Sequence, residues 1–244
     1  MLTTTTPATW QDLQRSVCAI MAEAGLTAAV EHTVRLTRGK TVVDVYATEN
    51  VSGRERVVLV ECKHWKTRVP QEVVRGFRTT LADAGADVGY VVSKAGFQAG
   101  ALEAAKFTNV RLLTWTEFQE EFEPAWIAYH LLPTVEDKFR RLFMSFEMPH
   151  KGPWPPTTDT RIERWRELHD QYFPFIDLMS RFGTIGVATH GGRVPRLPAR
   201  ALSIDDAHLI PSGILDATAY RDFLQTALAY GDGVLEEWRA YSQL

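Results

Sequence analysis

Two valine-rich runs each carry an acidic residue where a strand is ordinarily apolar, and this pair constrains the fold more than any other feature of the chain. Residues 41–47 include Val42-Val-Asp44-Val-Tyr-Ala47, and residues 56–65 include Val57-Val-Leu-Val-Glu61-Cys-Lys63-His-Trp65. β-Branched and aromatic residues favour strands, whereas Asp and Glu are depleted there. Between the runs lies a turn-prone stretch, residues 48–54, with Asn50, Ser52 and Gly53, so the runs read as a hairpin. A turn centred between Ser52 and Gly53 pairs position 44 with position 61, setting Asp44 opposite Glu61 with Cβ atoms about 5 Å apart. Strand side chains alternate faces, so Lys63 shares the face of Glu61 and Cys62 points to the opposite one. A register slip of one residue would separate the pair.

Two carboxylates that close repel unless a cation lies between them. Mg²⁺ suits the position: it takes hard oxygen ligands, uses one or two protein carboxylates and keeps waters that can attack a phosphodiester. Lys63, on the same face, is placed to orient or deprotonate such a water or to stabilise charge on a phosphorane. The plain alternative is a solvated surface hairpin, which leaves a charge in the middle of an apolar run without a reason.

Around the hairpin the pattern alternates. Residues 10–25 read as a helix with Trp10, Leu13, Val17, Ile20, Met21 and Ala24 on one stripe; Thr9 and Asp12 have capping-box spacing and Gly25 marks the stop. An extended stretch, residues 28–37, precedes the hairpin. After Pro70 comes a helix with Val73, Val74, Phe77, Leu81 and Ala84 on its apolar side, then a strand at 89–93, a helix at 98–107 and a strand at 110–115. The order α-β-β-β-α-β-α-β predicts a mixed sheet with helices on its faces. Beyond Thr116, Phe118, Phe122 and Trp126, then Phe139, Leu142, Phe143 and Phe146, fall at helical spacing. A Pro-rich break at 151–156 follows, then a helical stretch from Ile162 to Met179, a Gly/Pro/Arg-containing loop or short hairpin at 184–200, and a closing helix at 217–241. These place a domain of residues 1–123 before a mainly helical region of residues 124–244. Core packing is the ordinary role of the aromatic residues in that region.

Composition narrows the class. The 244 residues carry a formal net charge of −3, so no basic coat covers the whole molecule, yet residues 63–78 hold Lys63, Lys66, Arg68, Arg75 and Arg78 against the single acid Glu72. A local patch of that kind is enough to engage a polyanion. Two cysteines, Cys18 and Cys62, allow neither a disulfide framework nor a four-thiolate zinc site. No apolar run reaches the roughly 18 residues of a membrane span, and the Thr-rich start lacks the features of a secretory signal. A cytoplasmic protein with no membrane contact is the expectation.

With Asp44, sixteen intervening residues and then Glu61-Cys-Lys63 on a hairpin, after one helix and before helix-strand-helix-strand, the chain resembles the PD-(D/E)XK nuclease superfamily. More specifically, it resembles the restriction-endonuclease-like domain of Mrr-type proteins. Glu61-Cys-Lys-His-Trp-Lys66, Gly89-Tyr-Val-Val-Ser-Lys94 and Gly96-Phe97 fit as well, and the likeness spans roughly residues 10–122. It implies an α/β fold, a mixed β-sheet flanked by helices, followed here by the helical C-terminal region. It also implies Mg²⁺-dependent phosphodiester hydrolysis, with Mn²⁺ able to substitute, a metal contacted at Asp44, Glu61 and Cys62, and Lys63 as the catalytic lysine. The Cys62 side chain itself, pointing away, reads as a core thiol. Members often carry a Glu on the first helix that supports the metal; this chain has Gln11 and Gln14 there, with Gln14 at the edge of the buried stripe. Gln71 matches the family's polar residue after the ExK strand.

Lys66, Arg68, Arg75 and Arg78 are candidate phosphate contacts, with Gln71, Arg75 and Arg78 on one helical face along the rim of the catalytic edge. Ser93 and Lys94, at the end of a strand, are candidates for the same cleft. The resulting expectation is a metal-dependent endonuclease acting on DNA in bacterial restriction or anti-phage defence. The alternative is a catalytically impaired nuclease-fold module that binds nucleic acid or a partner protein. For the C-terminal region a regulatory partner or self-association is the expectation.

Overall fold

The computed structural model describes residues 1–147, 159–189 and 191–242; the Pro-rich segment 151–156 and the side chain of Phe146 lie outside them. The chain divides into two compact units, residues 5–129 and residues 130–244 together with 1–4.

The first unit is built on a five-stranded mixed sheet ordered β1-β2-β3-β4-β5: Thr27–Arg35, Lys40–Val51, Arg54–Lys63, Val88–Ser93 and Val110–Thr114. The three N-terminal strands pair antiparallel, and β3, β4 and β5 pair parallel through crossover helices. Helix α1 (Trp10–Glu23) starts at the expected capping box: the Thr9 hydroxyl accepts the Asp12 amide and the Asp12 carboxylate accepts the Thr9 amide. It buries Leu13, Gln14, Val17, Ile20 and Met21, whereas Trp10, expected on this stripe, is exposed. Helix α4 (Trp115–Trp126) packs beside α1 on the same face of the sheet, where Tyr90 meets Phe118 and Phe122 edge to face. Helices α2 (Gln71–Ala84) and α3 (Ala99–Ala105) cover the other face. There Val74, Phe77 and Leu81 close over Val34, Val43, Leu59 and Val91. Gly89 permits this close seat, since a Cβ on it would lie 2.3 Å from Leu81 Cδ1.

The second unit is helical: α5 (Leu132–Glu147), α6 (Asp159–Arg181), α7 (Thr184–Thr189), α8 (Ser212–Leu215) and α9 (Tyr220–Ser242). Phe139, Phe175 and Tyr230 meet edge to face where α5, α6 and α9 pack, and Phe182 stacks near Phe223. The N-terminal residues join this unit through Leu2, fully buried, and through Asp222, whose carboxylate accepts Thr3 Oγ1 and the Thr4 amide, each at 3.0 Å. Part of the 184–200 segment, expected as a loop or hairpin, is helix α7, which contains Gly186 and which Gly191, Gly192, Pro195 and Pro198 follow. Among the described residues no helix is long and apolar enough to cross a membrane.

Candidate active site

The β2–β3 hairpin turns at Ser52 and Gly53, both at positive φ (53° and 79°), as a two-residue hairpin turn requires. Its ladder then runs in unbroken register from Val51↔Arg54 to Val45↔Val60 and stops one residue short of Asp44 and Glu61. The Asp44 carboxylate takes over from the ladder: Oδ2 accepts the Cys62 amide at 2.7 Å and Oδ1 accepts Gln14 Nε2 at 2.8 Å. The β1–β2 ladder skips the same position, and the residue opposite, Glu31, sits at φ 50°. Val43 and Tyr46, of opposite parity, both pack against the cluster under α2. The alternation of faces is therefore interrupted at Asp44. Such irregularities re-aim a side chain, and here the carboxylate is turned to meet α1 and the β3 backbone.

Glu61 and Lys63 follow Leu59 on the α2 side of β3. The Lys63 ammonium donates to Glu61 Oε1 and lies 5.2 Å from the centre of the Trp65 ring, so a carboxylate and an aromatic face both fix it. Burial pushes the Glu61 carboxyl above the usual range and the nearby Asp44 charge adds to that, while Lys63 pulls the other way. A cavity of about 350 Å³ opens over these groups, lined by Glu61, Lys63 and Trp65 with Val43, Glu72 and Phe77 among its walls.

Cys62 contributes backbone rather than sulfur. Its side chain is buried, and burial together with the Asp44 and Glu61 charges pushes the thiol well above its ordinary range. Metals bind the thiolate, the form that this burial disfavours. Its main chain is placed differently. The Lys63 carbonyl accepts the Lys94 amide at 3.0 Å and so faces β4. Main-chain groups alternate sides along a strand, so those of Cys62 face β2 and Asp44. Two carboxylates and a carbonyl oxygen are a donor set that fits Mg²⁺, which completes its shell with water. Among the described residues no cluster of three or more His, Cys, Asp or Glu is found, here or elsewhere.

Gln14, the residue at the edge of the α1 stripe, is 6% exposed and holds Asp44 directly. Replacing it with Leu is expected to destabilise the metal-free protein by about 1.5–3 kcal/mol, the range for a hydrogen bond to a charged group. Gln14→Glu is expected to destabilise it further, by adding a like charge beside Asp44. Chemical denaturation without metal, at pH 7.5, measures both.

Other expected positions separate. Lys66 and Arg68 are exposed in the segment after β3. Lys94 is exposed at the end of β4, its Nζ 3.2 Å from His64 Nε2, which in turn lies 3.0 Å from the Pro7 carbonyl. Ser93 cannot meet a ligand: it is fully buried and its hydroxyl donates to the Gly96 carbonyl at 3.0 Å, bracing the turn after β4. Gln71 faces α3, where its amide oxygen would lie 3.4 Å from a Cβ built on Gly100, and it does not line the cavity. Arg75 and Arg78 do not line it either; they border a different cleft. The sequence reading passed over Trp65 and Glu72. Trp65 had a signal, since it shares the parity of Glu61 and Lys63; Glu72 had none beyond its place on the first turn of α2.

Residues 6–122 match the family model Mrr_cat, restriction endonuclease. No curated protein sequence matches the chain. Among solved structures, the protein of unknown function AF1548 is 14% identical, with a TM-score of 0.41 over 55% of this chain and 78% of its own. The MspJI restriction endonuclease in complex with a 27-mer oligonucleotide is 17% identical, with a TM-score of 0.34 over 54% of this chain and 30% of its own. Residues 6–122, which carry the sheet, α1 and the cavity at the open end of the β2–β3 ladder, are a restriction-endonuclease-like domain of the Mrr catalytic family.

Proposed function

We propose that this domain is a metal-dependent endonuclease that hydrolyses DNA phosphodiester bonds, of the kind used in bacterial restriction or anti-phage defence. The observation that carries the reading is the Glu61–Lys63 pair near Asp44, whose carboxylate holds the Cys62 amide where the β2–β3 ladder opens. Asp44, Glu61 and the Cys62 carbonyl are the groups that would hold the metal. A bound divalent ion supplies a lowered water pKa and positive charge against the phosphoryl oxygens. The Lys63 ammonium, already fixed by Glu61 and Trp65, orients the attacking water and stabilises the charge that develops on the phosphate. Lys66, Arg68 and Lys94, exposed near the ends of β3 and β4, supply phosphate contacts that position the strand without reading its sequence.

One observation favours a second reading, a nuclease-fold module that binds nucleic acid without cutting it: Gln14 is neutral and already spent on Asp44. Incubation of the full chain with supercoiled plasmid, single-stranded DNA and RNA, in Mg²⁺, Mn²⁺ and EDTA, decides between them. Nicked or linear plasmid in either metal, and none in EDTA, is the expected result. Intact plasmid throughout, with no heat of Mn²⁺ binding that depends on Asp44 and Glu61, overturns the nuclease reading in favour of the second.

A further inference from the structure

The far side of α2 carries a feature that the catalytic cavity does not use. Glu72, Gly76 and Thr80 face the cavity, whereas Arg75, Arg78 and Thr79 border a separate cleft of about 620 Å³, closed by Phe107 and Thr108 from the loop between α3 and β5. Phe107 is fully exposed, and its backbone stands at φ 58°, a region that bulky residues seldom occupy. The loop beneath it is nevertheless tied down. Thr108 Oγ1 donates to the Ala105 carbonyl at 2.7 Å and accepts the Val110 amide at 3.1 Å, and Asn109 Nδ2 donates to the Ala86 and Asp87 carbonyls at 3.3 and 3.1 Å. An aromatic ring is thus held out in water on a braced support. Beside it, Arg78 donates only to the Ala104 carbonyl, and among the described residues no carboxylate pairs with Arg75 or Arg78.

We propose that this cleft is a second nucleic-acid contact, in which Arg75 and Arg78 hold backbone phosphates and Phe107 stacks on an unpaired base. Two unneutralised guanidinium groups call for a polyanion, and an exposed ring next to them calls for a flat apolar partner; a nucleic-acid strand offers both. The cleft and the cavity are separated by the width of one helix, about 10 Å, so a strand crossing α2 would reach both within a few nucleotides. This deepens the nuclease reading and rests on it for the choice of DNA as the polymer.

Fluorescence anisotropy of the full chain with a labelled single-stranded DNA oligonucleotide, in EDTA over a salt series, tests it. Phe107→Ala is expected to weaken binding roughly 5- to 150-fold, the span of base–aromatic stacking, without changing the salt dependence, and Phe107→Trp to restore it. The double variant Arg75→Ala, Arg78→Ala is expected to flatten the slope of log K against log salt by about 1.4, or ~0.7 per phosphate contact. Unchanged affinity in Phe107→Ala overturns the proposal, as does a Phe107→Ala variant whose only effect is on self-association in sedimentation equilibrium. The two readings fail separately. A wild type that cleaves DNA while all these variants bind like it rejects the cleft and keeps the nuclease; variants that lose affinity in a protein that never cleaves do the reverse. A wild type that binds no oligonucleotide rejects the cleft outright.

Discussion

Lys63→Ala is expected to lower the rate of DNA cleavage at saturating metal and substrate by at least about three orders of magnitude. Removing one preorganised group that stabilises developing charge costs about 10²–10³ in rate, and loss of a positioned proton-transfer group costs about 10²–10⁴; Lys63 stands where it would supply either. Its ammonium is held by Glu61 on one side and Trp65 on the other, and among the described residues no other Lys or Arg lines the cavity. Lys94, at the end of β4, is turned toward His64. Single-turnover cleavage measures the rate, and oligonucleotide binding in EDTA is expected to change less than about tenfold, since one phosphate contact is worth little beside the remaining ones. Lys63→Arg then separates the two roles. A guanidinium keeps the charge but cannot give up a proton near neutral pH, so partial rescue points to charge stabilisation and no rescue to proton transfer. Near-native cleavage by Lys63→Ala would remove Lys63 from the chemistry and with it the reading of the Glu61–Lys63 pair.

The hairpin shows which parts of such a site a sequence reveals. A two-residue turn fixes the register of the strands it joins, so Asn50, Ser52 and Gly53 were enough to set position 45 against 60 throughout the ladder. What the turn does not fix is where pairing ends. The ladder opens at Asp44 because its carboxylate captures the Cys62 amide, because Gln14 reaches it from α1, and because Glu31 leaves the extended region on the far strand. All three are tertiary, and alternation along one strand cannot express them. The same holds for α2. Helical spacing grouped Gln71, Arg75 and Arg78 correctly as neighbours on the wheel, but the rotation of the helix against the sheet decides which face looks into the cavity. Burial of Val74, Phe77 and Leu81 turns Glu72 and Gly76 toward it and the two arginines away. Ser93 failed for a related reason: the end of a parallel strand is a fair place to look for function, yet the tight turn at Gly96 consumes its hydroxyl. The α7 region shows the opposite case: Gly186 is accommodated inside the helix, and Gly191, Gly192, Pro195 and Pro198 lie beyond its end.

Mn²⁺ is expected to stabilise the wild-type protein and to leave Glu61→Gln unmoved. At a free concentration of about one hundred times its dissociation constant, a ligand that binds only the folded state adds about 2.7 kcal/mol, and thermal melts with and without MnCl₂ read that difference. The metal-free protein supplies the matching half of the result. The Glu61 carboxyl titrates above its ordinary range in the fold because it is buried and because Asp44 repels its charge. A carboxyl raised in this way favours folding while it is protonated in the native state, and that benefit is present below its unfolded pKa and lost as pH rises through the folded one. Without metal, Glu61→Gln is therefore expected to be more stable than wild type near pH 8, with the advantage shrinking as pH falls into the range where Glu61 takes up its proton. Wild-type affinity for Mn²⁺ is expected to climb over the same interval, since the ion competes with that proton for the carboxylate. Equal Mn²⁺ stabilisation of both proteins would move the metal away from Glu61. A metal-free Glu61→Gln less stable than wild type at pH 8 would mean that the pairing with Lys63 outweighs the desolvation and repulsion of Glu61, leaving the carboxylate no electrostatic need for a divalent cation.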